Sequence, residues 1–406
     1  MPGDKSVAHR ALILAGMAGS ESSISNLPDG LDVLATRECL EALGVSFEGS
    51  ARTLRVTPPR DWRPGATLDA GNSGTTARLL AGALAGKRCA ATVTGDASLS
   101  ARPMQRVADP LRRLGAQVDL TDGRLPLRVR ASALEAAQWD ATVPSAQVKS
   151  AYLLAALGAS GESWYAEALP TRDHLERLLP LFGVTVATDE GTVRVHGGVR
   201  PSGVRLTLPG DPSSAAVLLV AAALLPGSEV TVEGVMLNPL RLGFVDALAR
   251  MGVTMSVHAD ILHAGPEPVG SLTVRGAGES GPVTLTASEV PRVIDEIPLL
   301  VLAAAFARGE SRFEGLSELR LKETDRLAAL GDMLAGLGVP HEIEGDTLTL
   351  RGEPELAPHV IDSRGDHRLA MLGAVLALRQ GREPERDPCV AVSWPQFYDR
   401  LAGLRR

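Results

Sequence analysis

At 406 residues the chain exceeds what one hydrophobic core usually holds, so two domains of roughly 200 residues each are expected. Hydrophobic residues make up 45% and charged residues 22%, an ordinary globular balance, and the net charge of -7 argues against generic binding to nucleic acid. Aromatics are only 3%, which excludes stacking platforms as the main binding device and favours small polar or anionic ligands.

Cys39, Cys89 and Cys389 are odd in number, far apart and without CxxC spacing. Neither a disulfide framework nor a zinc site is expected from them, and a reducing cytoplasm is the simplest setting. No apolar run reaches the roughly 20 residues of a membrane span. The longest, AAVLLVAAALL at 215–225, reads as a buried helix.

The chain opens MPGDKSVAHRALILAG. Pro2-Gly3-Asp4 reads as a tight turn, after which Lys5, Ser6 and Arg10 lie in the first turns of an apolar helix. Unpaired N–H groups and two cations would converge there on an anion. The competing reading is an ordinary helix cap, with Ser6 accepting a backbone hydrogen bond and both cations solvated.

Downstream, one phrase recurs: a helix end, a glycine, then an alternating strand. It reads EALGVSFE, RRLGAQVDL, PLFGVTVAT, ARMGVTMSV and AGLGVPHEI, with Gly44, Gly115, Gly183, Gly252 and Gly338 as the helix-terminating residues. A second phrase, an apolar helix stopping at glycine before a strand, appears six times, at Gly19, Gly86, Gly161, Gly227, Gly309 and Gly381. Strand pairs are expected at TLRVTP, LPLRVRA, TVRVHG, ILHA and TLTLRG. Units of about 70 residues cannot each bury a face alone. Six of them are expected to pack in two closed groups of three, with a boundary near Leu208 in VRLTLPGDPSS.

The helices of the second phrase begin DKSVAHR, NSGTTAR, SAQVKS, DPSSAA, DEIP and GDHR. Ser, Thr, Asn and Asp at such places are ordinary caps. Lys5, Arg10, Arg78, Lys149 and Arg368 are not, since a cation in a first turn opposes the helix dipole by about 0.3–1 kcal/mol. A bound anion would remove that conflict. Three further clusters join them: Arg102 in a loop at 95–104, Arg172 and Asp173 before a helix, and Lys322, Glu323, Asp325 and Arg326 in LRLKETDRL. Alternating charge on an exposed helix is the plain alternative for the last. Asp295 and Glu296 stand at the mouth of an apolar helix, where acids near cations are candidates for acid–base work.

Two features are decoys. The run Gly276 to Gly281 fits a dinucleotide-binding glycine pattern but leads into PVTLT, a strand-like sequence, where a helix must start. The eight histidines show no HxxxH or HxH spacing, and His9 and His367 read as hydrogen-bonding or capping groups.

Taken in order, PGDKSVAHR, NSGTTAR, SLSARPM, SAQVKS, PGDPSSAA, IDEIP, LKETDR and GDHRLAM resemble the 3-phosphoshikimate 1-carboxyvinyltransferases, or 5-enolpyruvylshikimate-3-phosphate synthases, over almost the whole chain. SAQ with TRDH is similar to the subgroup described as class II. The resemblance implies an α/β fold of two domains, each of three βαβαββ units around a pseudo-threefold, with residues 5–208 as one lobe and 209–406 plus 1–4 as the other. It implies transfer of the enolpyruvyl group of phosphoenolpyruvate to the 5-hydroxyl of shikimate 3-phosphate, with release of phosphate, in aromatic amino acid biosynthesis. It also implies a cytoplasmic monomer whose lobes close on ligand, with no metal and no cofactor.

Carried over position by position, the resemblance places Lys5, Ser6, Arg10, Ser145, Ala146, Gln147, Arg172, Asp295 and Lys322 on shikimate 3-phosphate. Lys5, Asn72, Gly74, Arg102, Gln147, Arg326 and Arg368 fall on phosphoenolpyruvate. Asp295 would take the hydroxyl proton and Glu323 would exchange the methyl proton, with Lys5 assisting. Sensitivity to glyphosate is expected from the small residue Gly74.

Three departures stand out. Met1 occupies the place of a valine that usually ends a preceding strand, so a start further upstream is expected. Ala146 replaces a serine found in many members. Val392 replaces a lysine often present near phosphoenolpyruvate. The rival within the fold, the UDP-N-acetylglucosamine enolpyruvyl transferase, carries a reactive cysteine in the loop matching SLSARPM, where this chain has none. An inactive homologue that binds a pathway intermediate is the rival of another class.

Overall fold

Gly44, Gly115, Gly183, Gly252 and Gly338 all adopt positive φ, from 75° to 98°, and each ends a helix and starts a strand. Only glycine takes this conformation without steric cost, which is why the phrase is readable in the sequence. The second phrase is less regular. Gly161, Gly227, Gly309 and Gly381 are left-handed, whereas Gly19 and Gly86 are not. The first helix stops at an extended Ala18, and Arg88, at φ 52°, takes the left-handed position beyond Gly86.

The computed structural model describes residues 1–404 apart from 51, 264, 278 and 279. One strand order recurs in it: two parallel neighbours, then an antiparallel hairpin. Ala66–Asp69 lies parallel to Ala91–Thr94, which pairs antiparallel with Arg124–Arg130 and so with Gln117–Thr121. Gln138–Ala141, Glu162–Glu167, Thr192–His196 and Val186–Asp189 repeat it. Thr284–Leu285, Gly309–Phe313, Thr347–Gly352 and His341–Glu344 do so again. In the first sheet the parallel neighbour of Ser22–Ser25 is Arg205–Thr207, brought back from the far end of the same unit. A three-stranded sheet built on Glu229–Met236 keeps only an isolated parallel bridge, Gly210 to Val235, in place of the first strand.

Two expectations are corrected. ILHA forms no strand among its described residues; the hairpin there is Thr254–Ala259 with Val269–Arg275, and Ala264 lies outside the described residues. The last repeat supplies the helices His367–Arg379 and Phe397–Gly403 without strands of its own among the described residues. The glycine run at 276–281 joins strands as expected, though Gly278 and Glu279 lie outside the described residues.

The chain divides into two compact units, Gly3–Leu208 and Pro209–Arg406 with Met1–Pro2. In the first, the helix Lys5–Met17 is buried from Val7 onward, and the helices Gly74–Gly86 and Ala146–Ala156 pack backbone to backbone. A Cβ on Gly82 would lie 2.0 Å from the carbonyl oxygen of Ala151. In the second unit, Pro212–Leu224 and Ile297–Ala305 are buried on nearly every side, as sequences apolar but for Ser213 and Ser214 require. No helix among the described residues is long and apolar enough to cross a membrane.

Candidate active site

Five of the six second-phrase helices are capped by the residue before them. Val7 N donates to Asp4, Thr76 N to Ser73, Val148 N to Ser145, Ser213 N to Asp211 and Arg368 N to Asp366. At the first helix the cap is therefore Asp4 rather than Ser6, which leaves the Ser6 hydroxyl outside that role. The caps account for Asp and Ser at these starts. They do not account for the cations.

In the unit Gly3–Leu208 those cations are held by named partners. Lys5 Nζ lies 2.7 Å from Asp32, in the first turn of Leu31–Ala42. Arg10, 2% exposed, donates to Ser6 O at 2.8 Å, Ala146 O at 3.2 Å and Ser150 Oγ at 3.0 Å, tying the first helix to the start of Ala146–Ala156. Arg78 Nη1 donates to Gln147 Oε1 at 2.7 Å, and Gln147 Nε2 donates to Thr75 Oγ1 at 2.9 Å. Arg102 Nη2 donates to Asn72 Oδ1 at 2.8 Å and Ser98 Oγ at 3.2 Å, while Asn72 Nδ2 donates to Asp96 at 2.7 Å, which orients the amide. The expected loop at 95–104 includes a one-turn helix, Ala97–Ser100, capped by Asp96, and Arg102 follows it outside any helix.

Gly74 sits among these groups. An added Cβ would lie 2.7 Å from Arg78 Nη1 and 3.3 Å from Arg102 Nη1. Two guanidinium groups thus approach the same helix start because the residue there has no side chain. Asn72, Gly74, Arg102 and Gln147, assigned together from sequence, are brought together, and Arg78 joins them. The sequence reads it as a first-turn cation, but the helix starts at Gly74, so Arg78 is the fifth residue and lies in the second turn.

Lys149 departs from expectation. It is 1% exposed and its ammonium sits 2.7 Å from Glu167 and 2.7 Å from Glu176, so an internal pair of carboxylates takes the place of a bound anion. Burial works to lower its pKa, and the two carboxylates outweigh that and raise it. Arg172 lies in the turn between Glu162–Glu167 and the helix His174–Leu181.

The other unit holds a second cluster. Arg326 begins the helix Arg326–Leu337, capped by Asp325, so LKETDR is not one exposed helix: Lys322 and Glu323 precede it and Arg326 is 1% exposed. Its Nε lies 2.7 Å and its Nη2 3.1 Å from Asp366, and its Nη2 lies 2.6 Å from Glu323 Oε2. Asp295 is 3.7 Å from Nη1 and 3.3 Å from Lys322 Nζ. Nη1 is buried without a hydrogen-bond partner, a donor suited to a ligand oxygen. Asp366 gave no sequence signal beyond its capping position. Arg368 is partly exposed at the same helix start, and Val392 ends a short 3-10 helix.

The cysteines are poorly suited to nucleophilic work. Burial pushes the Cys39 thiol up to about 12 and raises that of Cys89 as well.

This fold is that of the enolpyruvyl transferases. The enolpyruvyl transferase NikO from Streptomyces tendae superposes with a TM-score of 0.75 over 99% of this chain and 93% of its own, at 19% identity, a likeness of fold alone. The sequence model of the EPSP synthase (3-phosphoshikimate 1-carboxyvinyltransferase) family matches residues 1–401. The 3-phosphoshikimate 1-carboxyvinyltransferase of Halorhodospira halophila is 43% identical over 412 residues, covering 100% of this chain and 92% of that one. That of Anaeromyxobacter sp. (strain Fw109-5) is 44% identical, covering 100% and 95%. The EPSP synthase of Acinetobacter baumannii has a TM-score of 0.84 at 36% identity, over 99% of this chain and 94% of that one. The chain belongs to the EPSP synthase family, whose members are transferases.

Proposed function

We propose that this protein transfers the enolpyruvyl group of phosphoenolpyruvate to the 5-hydroxyl of shikimate 3-phosphate, releasing phosphate, as a cytoplasmic monomer. The observation that carries the reading is the arrangement around Arg326. Its guanidinium holds the carboxylates of Glu323 and Asp295 within 2.6 and 3.7 Å, two acid–base candidates beside one anion-binding cation.

In this reading the acceptor's anionic groups are held by Lys5, Ser6, Arg10, Ser145, Ala146, Gln147 and Arg172, and its hydroxyls by Asp295 and Lys322. The Ala146 carbonyl accepts from Arg10 and Ser150, so its contribution to the phosphate is the backbone N–H at the start of its helix. Ser145 Oγ accepts from Val148 N and retains its own proton to donate. Phosphoenolpyruvate is held by Lys5, Asn72, Gly74, Arg102, Gln147, Arg326 and Arg368.

Asp295 takes the proton of the 5-hydroxyl as its oxygen attacks the carbon bearing phosphate. Glu323 delivers a proton to the methylene carbon, and later retrieves one from the methyl group as phosphate leaves, with Lys5 assisting. The arginines stabilise the charge that collects on the departing phosphate.

The test is phosphate release from phosphoenolpyruvate with shikimate 3-phosphate in one vessel and UDP-N-acetylglucosamine in another. Release only with shikimate 3-phosphate is expected, with kcat lowered about 10²- to 10⁴-fold in Asp295→Ala and in Glu323→Ala. Release with UDP-N-acetylglucosamine instead, or tight binding of shikimate 3-phosphate without turnover, overturns the reading.

A further inference from the structure

Lys149 projects from the first turn of the helix that opens Ser145-Ala146-Gln147, yet its ammonium is sealed inside the protein. Besides Glu167 and Glu176, each at 2.7 Å, it donates to the carbonyl oxygen of Thr171 at 3.3 Å. Glu167, at the end of its strand, grips the same residue: Oε1 accepts from Thr171 N at 3.0 Å and Oε2 from Thr171 Oγ1 at 2.6 Å. Thr171 is 5% exposed, and Arg172 follows it directly. Every polar group of the Thr171 backbone and side chain is therefore held by this lysine and this glutamate.

Such a cluster is costly to assemble. Burying one ammonium with two carboxylates removes three charges from water, a penalty that attraction repays only with good geometry. An apolar turn of the same size would be less demanding, so the arrangement is best understood by what it holds in place. It joins two segments that are neighbours in space but not in sequence: the helix start at Ser145 and the turn ahead of Arg172.

We propose that Lys149, Glu167 and Thr171 form a buried clamp that sets Arg172 at a fixed distance from the Ser145–Gln147 helix start and thereby determines affinity for the phosphate of the acceptor substrate. This rests on the reading above that Ser145 and Arg172 share that phosphate. The three are positioning residues: Lys149 never reaches the ligand, and Thr171 acts only through the residue after it.

The experiment is a set of cycles read as separate KM values for shikimate 3-phosphate and phosphoenolpyruvate. Thr171→Val removes only the Oγ1 hydrogen bond and Thr171→Ser retains it, each made in the wild-type and the Arg172→Ala background, with Lys149→Met as the more drastic variant. Thr171→Val is expected to raise KM for shikimate 3-phosphate about five- to tenfold, less than the full effect of one charge-assisted hydrogen bond because the loss reaches the ligand only through Arg172. KM for phosphoenolpyruvate should move less than about twofold, Thr171→Ser should restore the wild-type value, and the Thr171→Val effect should vanish once Arg172 is alanine.

Wild-type turnover of shikimate 3-phosphate, with a raised KM in Arg172→Ala, checks the underlying reading separately. If either is missing, that reading falls and the clamp's purpose with it. If both are present but the Thr171→Val effect persists in the Arg172→Ala background, or both KM values rise equally, the clamp proposal alone is overturned. Should Lys149→Met fail to fold, the Thr171 series still decides.

Discussion

The guanidinium of Arg326 donates to both carboxylate oxygens of Asp366, at 2.7 Å through Nε and 3.1 Å through Nη2, and both residues are almost fully buried. Asp366 also caps its own helix through Arg368 N at 2.8 Å. One carboxylate therefore orients two of the proposed phosphoenolpyruvate ligands. Asp366→Asn is expected to lower stability by about 2 kcal/mol, since it weakens two charge-assisted hydrogen bonds and leaves the buried guanidinium with Glu323 and Asp295 as its remaining carboxylates. Burial works to raise the Asp366 carboxyl, and Arg326 outweighs it and holds it below the ordinary value of 3.8. A depressed carboxylate contributes its stability above the unfolded pKa and loses it as pH falls through the folded one. The wild-type advantage over Asp366→Asn in urea unfolding should thus be constant from neutral pH to about pH 4 and shrink below it.

Gly74→Ala separates binding from stability. The atoms its Cβ would meet at 2.7 and 3.3 Å are the ends of Arg78 and Arg102, which can swing away. Thermal stability should change by less than about 1 kcal/mol. KM for phosphoenolpyruvate should rise on the order of tenfold, because both guanidinium groups are displaced from their positions. The wild-type enzyme should lose turnover in millimolar glyphosate and the variant should lose less; unaltered wild-type turnover would refute the expected sensitivity.

His9 gives the protein an acid-sensitive element. The ring is fully buried, with Nδ1 2.6 Å from Thr36 Oγ1, and burial, then Lys5 and Arg10, hold its pKa well below 6.5. The folded state resists protonation while the unfolded chain accepts it, so stability falls as pH drops below about 6.5, by up to about 1.4 kcal/mol per pH unit. His9→Gln should flatten this part of a Tm-against-pH curve between pH 7.5 and about 5.5, whatever it does to the absolute Tm.

Gly82→Ala tests the contact between the helices Gly74–Gly86 and Ala146–Ala156. Its Cβ would lie 2.0 Å from a carbonyl oxygen and 2.6 Å from a carbonyl carbon of Ala151, backbone atoms that move only if the helices separate. A loss of about 2 kcal/mol is expected despite alanine's better helix propensity. Gly403, with nothing within 4 Å, is the control: Gly403→Ala should leave Tm unchanged or slightly raised.

Much of the fold was legible because its rules are local. The five helix-ending glycines with φ from 75° to 98° follow from the one residue that tolerates that conformation. ILHA misled because alternation over four residues is too short a signal, and the strand that pairs with Thr254–Ala259 starts later, at Val269. At the site, the cations near helix starts stood out because the sequence reads them as opposing a helix dipole, although Arg10 and Arg78 fall in the second turn of their helices. Their environments did not, and Lys149 and Arg10, indistinguishable in sequence, ended in different surroundings: a carboxylate pair for one, backbone carbonyls and a serine for the other.

What the sequence by itself determined was the repeating unit, the enrichment of Ser, Thr, Asn and Asp at helix starts, and the set of charged residues gathered there. Each depends on interactions spanning a few residues, where spacing is geometry. Only the tertiary structure decided which charges neutralise one another: Asp32 for Lys5, Glu167 and Glu176 for Lys149, Asp366 for Arg326. Those partners lie 18 to 40 positions apart in the chain, and a Coulomb interaction depends on distance in space and on exclusion of water. Neither quantity exists until the repeats have packed.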